Sequence, residues 1–250
     1  MNLRGLTCRI AKLAVMAGLV MLQACATVAY PDRRDPIEPF NRAVFGFNDV
    51  VDRVLIKPVA TVYRDAAPKV VRQGVSNFFG NLVDVWSIFN NAIQFRGQAT
   101  GDSIARVMVN TTLGLGGLID VASDLEIERH TSDFGLTLGR WGVPPGPYVV
   151  LPILGPYTLR EVAAIPIDQQ GNLVNQITDD QSRYGLTVLN VVDYRAQYLT
   201  AGDVVEGAAL DVYSFTRDSY YQRQRNRLYD GNPPEEPDES AETTEPKTKP

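Results

Sequence analysis

The sequence predicts a mostly α-helical protein with one short β-hairpin or Pro/Gly-rich loop clamp near residues 135–156. Three observations carry this. Apolar residues recur at spacings of three and four in long stretches on either side of that segment, as helices require. Breakers crowd into residues 135–156 themselves: Gly135, Gly139, Gly142, Pro144, Pro145, Gly146, Pro147, Pro152, Gly155 and Pro156. Between them, Arg106 to Val121 is apolar and glycine-rich, with no charge until Asp120.

Residues 1–24 read as a targeting segment. Arg4, Arg9 and Lys12 precede an apolar run, Leu13 to Leu22, and a small residue, Ala24, precedes Cys25. This is an export signal, not a membrane span. Leu22-Gln23-Ala24-Cys25 resembles a bacterial lipoprotein box, in which Cys25 is acylated and becomes the new N-terminus; Gln23 is unusual at its position. Cys8 leaves with the signal, so Cys25 has no cysteine to pair with, and lipid attachment explains it. Two or more acyl chains make a firm anchor. Ala26, where an aspartate favours inner-membrane retention, points to the outer membrane of a Gram-negative cell. Residues 25–34 are then a lipidated tether.

The composition is 44% hydrophobic and 21% charged, that of an ordinary globular chain. Loss of three basic residues with the signal takes the net charge from −5 to −8, which argues against nucleic acid as a partner.

Asp35-Pro36 reads as an N-cap and first helical residue. The helix it opens carries Phe40, Val44, Phe47, Val51 and Leu55 on one side, and Lys57-Pro58 is expected to stop it and start a shorter one ending at Pro68. Lys69 to Arg96 is the longest helical pattern. Its apolar face is wide, and its polar remainder is unusual: Asn77, Asn81, Asp84, Asn90, Asn91 and Gln94. Such a face suits a membrane interface; the same periodicity also suits the centre of a helical core.

A Gly97–Gly101 break is expected next, then the stretch Arg106 to Val121. As one helix, Val107 to Asp120 would span about 21 Å, short of the roughly 30 Å bilayer core. Gly114, Gly116 and Gly117 interrupt it. The pattern is an apolar arm that enters a membrane, bends and leaves, or a helix–turn–helix buried in a core. His130, the only histidine, sits in a polar segment and reads as a solvent-facing loop residue. Without a histidine or cysteine partner it makes no usual metal site, and no cofactor is implied.

Within the breaker-rich segment, Tyr148 to Leu151 reads as a strand, paired with Leu136-Thr137-Leu138. Thr158 to Ala164 restarts a helix that Pro166 should stop. Two helical patterns close the fold, Tyr184 to Leu199 and Asp203 to Tyr229. The basic, aromatic end of the second (Arg217, Tyr220, Tyr221, Arg223, Arg225, Arg227) reads as a solvated helix end or a phosphate contact. From residue 230 to 250 the composition is that of a disordered acidic tail.

Many short motifs, in order, resemble the MlaA/VacJ family of outer-membrane phospholipid-transport lipoproteins. They include Asp35-Pro36-Ile37-Glu38-Pro39-Phe40-Asn41-Arg42, Lys57-Pro58-Val59-Ala60, and Ser76-Asn77-Phe78-Phe79-Gly80-Asn81-Leu82. Asn110-Thr111-Thr112-Leu113-Gly114-Leu115-Gly116-Gly117-Leu118-Ile119-Asp120, Gly146-Pro147-Tyr148 and Arg195-Ala196-Gln197 continue the series. The resemblance implies one helical ring- or disc-shaped domain over 35–229, seated in one membrane leaflet. It implies association with a trimeric porin, and transfer of misplaced phospholipids to a soluble periplasmic carrier of the MlaC type. Lipid passage needs an amphipathic route, and Asn110, Thr111, Thr112, Gly114, Gly116, Gly117 and Asp120 are the candidate residues for its wall. An enzyme is disfavoured, since no Gly-x-Ser-x-Gly or His-Glu-x-x-His motif is present. The competing reading is a scaffold lipoprotein that bridges outer-membrane proteins without moving lipid.

Overall fold

A computed structural model describes residues 32–235. The signal, Cys25 and the tail beyond 235 lie outside the described residues. The chain is mostly helical, with one two-stranded antiparallel sheet. Helix α1 (Glu38–Val51) runs through a π turn (Asp52–Ile56) into α2 (Lys57–Ala66). The long α3 (Lys69–Ile93) packs along α4 (Gly97–Thr112). A bent loop leads to one turn of helix, α5 (Val121–Asp124), and then to α6 (Phe134–Arg140). Strands β1 (Tyr148–Leu151) and β2 (Gly155–Thr158) form the hairpin, and α7 (Leu159–Gly171) packs on α6. Helices α8 (Asp180–Gln197), α9 (Leu199–Ala208) and α10 (Val212–Leu228) complete the chain. No helix among the described residues is long and apolar enough to cross a membrane.

Several local expectations change. Asp35 is not an N-cap: the helix begins three residues later, and the buried Asp35 carboxylate takes bonds from Asn41 and Tyr213. Lys57-Pro58 does begin a shorter helix, as expected, but the chain passes into it without a break. The wider π turn before it, closed by the Lys57 N–H on the Asp52 carbonyl, absorbs the missing N–H of Pro58. Gly97 to Gly101 is the first turn of α4, not a break; the reversal falls on Phe95, with φ 58°.

Leu136 to Leu138 is helical, because the Asp133 carboxylate caps α6 at the Leu136 N–H, 2.7 Å away. The partner of β1 is instead β2, in the register Tyr148 to Thr158 through Leu151 to Gly155. Pro166 lies inside α7. The C-terminal pattern divides at Ala209–Asp211 into α9 and α10.

The arrangement of polarity is the main feature of the fold. Along α3, Asn81, Asp84, Ser87, Asn90 and Asn91 are buried, while Val70 is 80% exposed and Val71, Val83 and Phe89 also face outward. The helix is amphipathic, but its polar stripe faces the protein. Among the described residues the same holds elsewhere: buried polar side chains outnumber buried apolar ones, and the apolar clusters are small.

The buried amides do specific work. Asn41 donates to the Tyr148 carbonyl at 2.9 Å and accepts from the Val150 N–H at 2.9 Å. One helical face further along α1, Asn48 donates to the Leu151 carbonyl and accepts from the Ile153 N–H. Two asparagines seven residues apart thus replace a third strand at the edge of β1.

Helix α10 straps the ends of the fold together. Its Arg217 reaches Asp32 at 3.2 Å, Asp35 at 3.6 Å and Glu38 at 3.8 Å. Its far end meets α6 through Arg227 and Asp133, 2.6 Å apart. The basic end is therefore not simply solvated. Asp230 bridges Arg96 and Arg140, so ordered contacts continue past the point where the tail was expected to begin. Likewise Arg34, expected in the tether, is pinned by its carbonyl to the Tyr148 N–H.

Replacing Asn41 with Leu leaves a strand N–H and C=O without partners. It should destabilise the fold by about 2–6 kcal/mol, at roughly 1–3 kcal/mol per stranded group. Thermal unfolding of Asn41→Leu beside the wild type measures this.

Candidate functional site

The loop between α4 and α5 is the most tightly bent part of the chain. Leu115, Gly116 and Gly117 are all left-handed, with φ of 53°, 73° and 92°. The Gly117 N–H returns to the Asn110 carbonyl at 2.8 Å, and the Ile119 N–H to the Gly114 carbonyl at 2.9 Å. Gly114 is needed for space: a Cβ there would lie 2.1 Å from the Ile119 carbonyl oxygen. Gly117 lies against Asn81 of α3, where a Cβ would come within 2.8 Å. Gly116 faces open space, so only its backbone conformation asks for glycine.

Beneath the loop is a polar clasp. Arg106 is 1% exposed and donates to both oxygens of Asp120, at 2.8 and 3.0 Å. On its other side it meets Asp84 at 3.4 Å, and Arg129 approaches Asp84 at 3.1 Å. Asp120 also accepts from Asn110 at 2.9 Å and from the Ser123 hydroxyl and N–H. Asn110 accepts in turn from the Ala122 N–H at 2.8 Å. Two guanidiniums and two carboxylates therefore balance, and each is hydrogen-bonded, as buried charge requires. Burial pushes the Asp84 carboxyl above its ordinary value, against the pull of Arg129 and Arg106. Burial pushes Asp120 the same way, but bonds from Ser123 and Asn110 and the two guanidiniums outweigh it and hold the carboxyl low.

The seven candidate residues thus come together, but in two roles. Asn110 and Asp120 spend their polar groups inside the clasp, and Gly114 and Gly117 are buried in the bend. Thr111, Thr112 and Gly116 are exposed; Thr111 accepts from Asn81 and Thr112 donates to the Met108 carbonyl. Around them Met108, Leu113, Leu115, Leu118, Ile119 and Leu125 present their side chains outward.

Sequence reasoning missed Arg106, Asp84, Arg129 and Asn81 as the frame of this loop. The signal was present: the polar residues of α3 repeat at helical spacing beside an apolar face. Their number pointed to a special stripe, but not to which side was inside. His130 also moves from its expected place: it is largely buried, with Nε2 3.1 Å from Asp102. Among the described residues, no group of three His, Cys, Asp or Glu side chains could hold a metal.

The fold and this loop define a helical protein with many polar groups inside and many large apolar side chains on its surface, with a bent apolar arm too short to span a bilayer. Residues 33–227 match the MlaA lipoprotein family, so the chain belongs to that family. It is 35% identical over 216 residues to the intermembrane phospholipid transport system lipoprotein MlaA of Shigella flexneri, covering 84% of this chain and 85% of that protein. The MlaA lipoprotein of Escherichia coli K12 gives the same identity and coverage. The MlaA lipoprotein of Haemophilus influenzae is 30% identical over 236 residues, covering 88% of this chain and 90% of that one. A solved structure described as the structural basis for maintenance of bacterial outer membrane lipid asymmetry superposes with a TM-score of 0.69. It is 35% identical, covering 80% of this chain and all of that one.

Two outcomes test the loop. Gly114→Ala should destabilise by several kcal/mol because backbone oxygens block the new methyl, whereas Gly116→Ala should cost only about 1 kcal/mol of backbone strain. Chemical denaturation of both variants separates space from conformation. The low pKa of Asp120 adds stability above its unfolded value near 3.9 that is lost as pH falls through the folded value. Asp120→Asn should therefore lose stability less steeply than the wild type in acid, read from melting temperatures between pH 7 and pH 3.

Proposed function

We propose that this protein is a lipid-anchored outer-membrane component of a phospholipid transport system. It withdraws misplaced phospholipids from the outer leaflet and hands them to a soluble periplasmic carrier, which keeps the two leaflets different. The inverted polarity of α3 and the bent arm is the observation that carries this reading. A surface of exposed Val, Leu, Ile and Phe at helical spacing is stable when it faces acyl chains rather than water. Acylation at Cys25 holds a disc-shaped body in the inner leaflet of the outer membrane. The names of the relatives, which are transport lipoproteins, support the same reading.

In this reading Asn110, Thr111, Thr112 and Asp120, with the three glycines, form part of the wall of the lipid route. Arg106 and Asp84 hold that wall in shape. A trimeric porin and an MlaC-like carrier are the protein partners. The exposed stripe of Tyr184, Val188, Val191 and Tyr194 on α8, with Tyr198 just past its end, favours a second reading, a scaffold that only bridges membrane proteins.

The deciding experiment labels surface phospholipid on intact cells with an amine-reactive reagent that cannot cross the outer membrane. Deletion of the gene should raise labelling. The intact gene should reverse the rise, and Cys25→Ala should not. Unchanged labelling on deletion, in cells with no second copy, would leave the scaffold reading. Because Gly116 faces open space, Gly116→Trp should raise labelling while leaving co-purified partners unchanged. Wild-type labelling in that variant would remove this loop from the lipid route.

A further inference from the structure

A sizeable cavity among the described residues lies away from the bent arm. It has a volume of about 1010 Å³ and sits between α10, the segment Pro233–Glu235, and the loop around Pro145 and Gly146. That is the size of a pocket for a small-molecule ligand. Phe215, Tyr221, Leu228 and Tyr229 supply apolar and aromatic wall, and Arg34, Arg160 and Arg225 supply charge.

Two of these three arginines are committed. Arg34 holds Asp32 and Asp218, and its guanidinium lies over the Tyr221 ring. Arg225 donates to the Pro234 carbonyl. Arg160 differs. It is 7% exposed, and no carboxylate among the described residues stands at ion-pair distance. Its side chain has a single hydrogen bond there, from Nη1 to the Val143 carbonyl at 2.9 Å. Its Nε is buried with no partner. Gly139 leaves room for the guanidinium, since a Cβ there would lie 2.9 Å from Cζ.

A guanidinium carries five N–H donors and stays charged at any physiological pH. Burying one without a counter-charge is costly. Elsewhere in this protein the rule is kept: Arg106, almost fully buried, has two carboxylates, and Arg217 has four. The backbone at the start of α7 is not the source of the site. Leu159 and Arg160 N–H groups donate to Pro147 and Pro145 carbonyls, and the Thr158 N–H to Glu161. Of the acids on the cavity wall, Asp218 is engaged by Arg34 and Arg217, and Glu235 stands at the rim segment.

We propose that this cavity is a phospholipid headgroup pocket in which Arg160 receives the phosphate and the aromatic wall takes the first part of the acyl chains. The inference rests on the phospholipid reading above and names a second place, apart from the bent arm, where the lipid is held. Arginine suits a phosphodiester because its planar donors meet two oxygens at once.

The test uses the full lipidated protein in amphipol, titrated calorimetrically with dihexanoylphosphatidylglycerol below its micelle concentration. Dihexanoylglycerol and inorganic phosphate are the comparison probes. The wild type should bind the phospholipid, Arg160→Met should weaken it at least tenfold, and Arg160→Lys should keep a large part. Without lipid, Arg160→Met should melt higher than the wild type, because it removes a buried charge that no carboxylate among the described residues balances. Equal affinity of the wild type and Arg160→Met for the phospholipid would overturn the pocket and leave the transport reading intact. Inorganic phosphate binding as tightly as the phospholipid would overturn the lipid occupant in favour of a free anion. A wild type that binds no phospholipid at all would fail the transport reading itself.

Discussion

Side-chain amides and hydroxyls on α3 hold most of this fold in place. Asn77 reaches the Leu118 carbonyl, Asn81 reaches Thr111, and Ser87 pairs with the backbone of Ser132. Asn91 takes the His130 carbonyl, Asn90 meets Thr137, and Gln94 meets Ser132 and Thr137. One helix face therefore meets polar groups of the bent arm, of the segment around His130 and Ser132, and of α6. This is a constraint more than a source of energy: each net bond is worth about 1 kcal/mol, but each buried group left unmade costs more. Loops laid across the inner face of α3 can persist because that face offers amides where a water-soluble core would offer leucine.

Turning the amides inward turns the apolar side chains outward. Val70, Phe47, Val54 and Val62 are well exposed, and Phe95 is 94% exposed. In water such a surface would drive aggregation. Against acyl chains such a surface is the stable one. The apolar clusters among the described residues are correspondingly small: Ala60, Val192, Ala196 and Leu199 pack where α2 meets α8 and α9, and Tyr148, Val150, Tyr213 and Tyr220 pack where the hairpin meets α10.

Ion pairs then tie the amide-built parts together. Arg195 grips Asp52 with two bonds of 2.8 Å, fastening α8 to the π turn. Arg217 gathers the carboxylates at the start of α1, and Arg106 gathers those beneath the bent arm. Arg160 stands apart from this pattern, since no carboxylate among the described residues is at ion-pair distance from it. The family motif Arg195-Ala196-Gln197 reads physically in these terms: one residue for Asp52, one for the apolar cluster, one for Ser76 and Asp193.

Sequence alone determined the helical class, the hairpin in the breaker-rich segment, the too-short apolar arm and the amphipathicity of α3. These are local or periodic properties, and backbone geometry expresses them directly. It could not determine which side of α3 faces inward, because periodicity marks two faces and only the surrounding solvent and neighbours choose between them. Nor could it pair Leu136 to Leu138 correctly: Asp133 capped them into a helix, and a distant asparagine, Asn41, took the edge of β1. Asn110 and Asp120 were visible as polar residues flanking the glycines, and their joining to Arg106 and Asp84 depends on the docking of α3 against α4. A charge finds its counter-charge through the packing of helices, and that packing exists only in three dimensions.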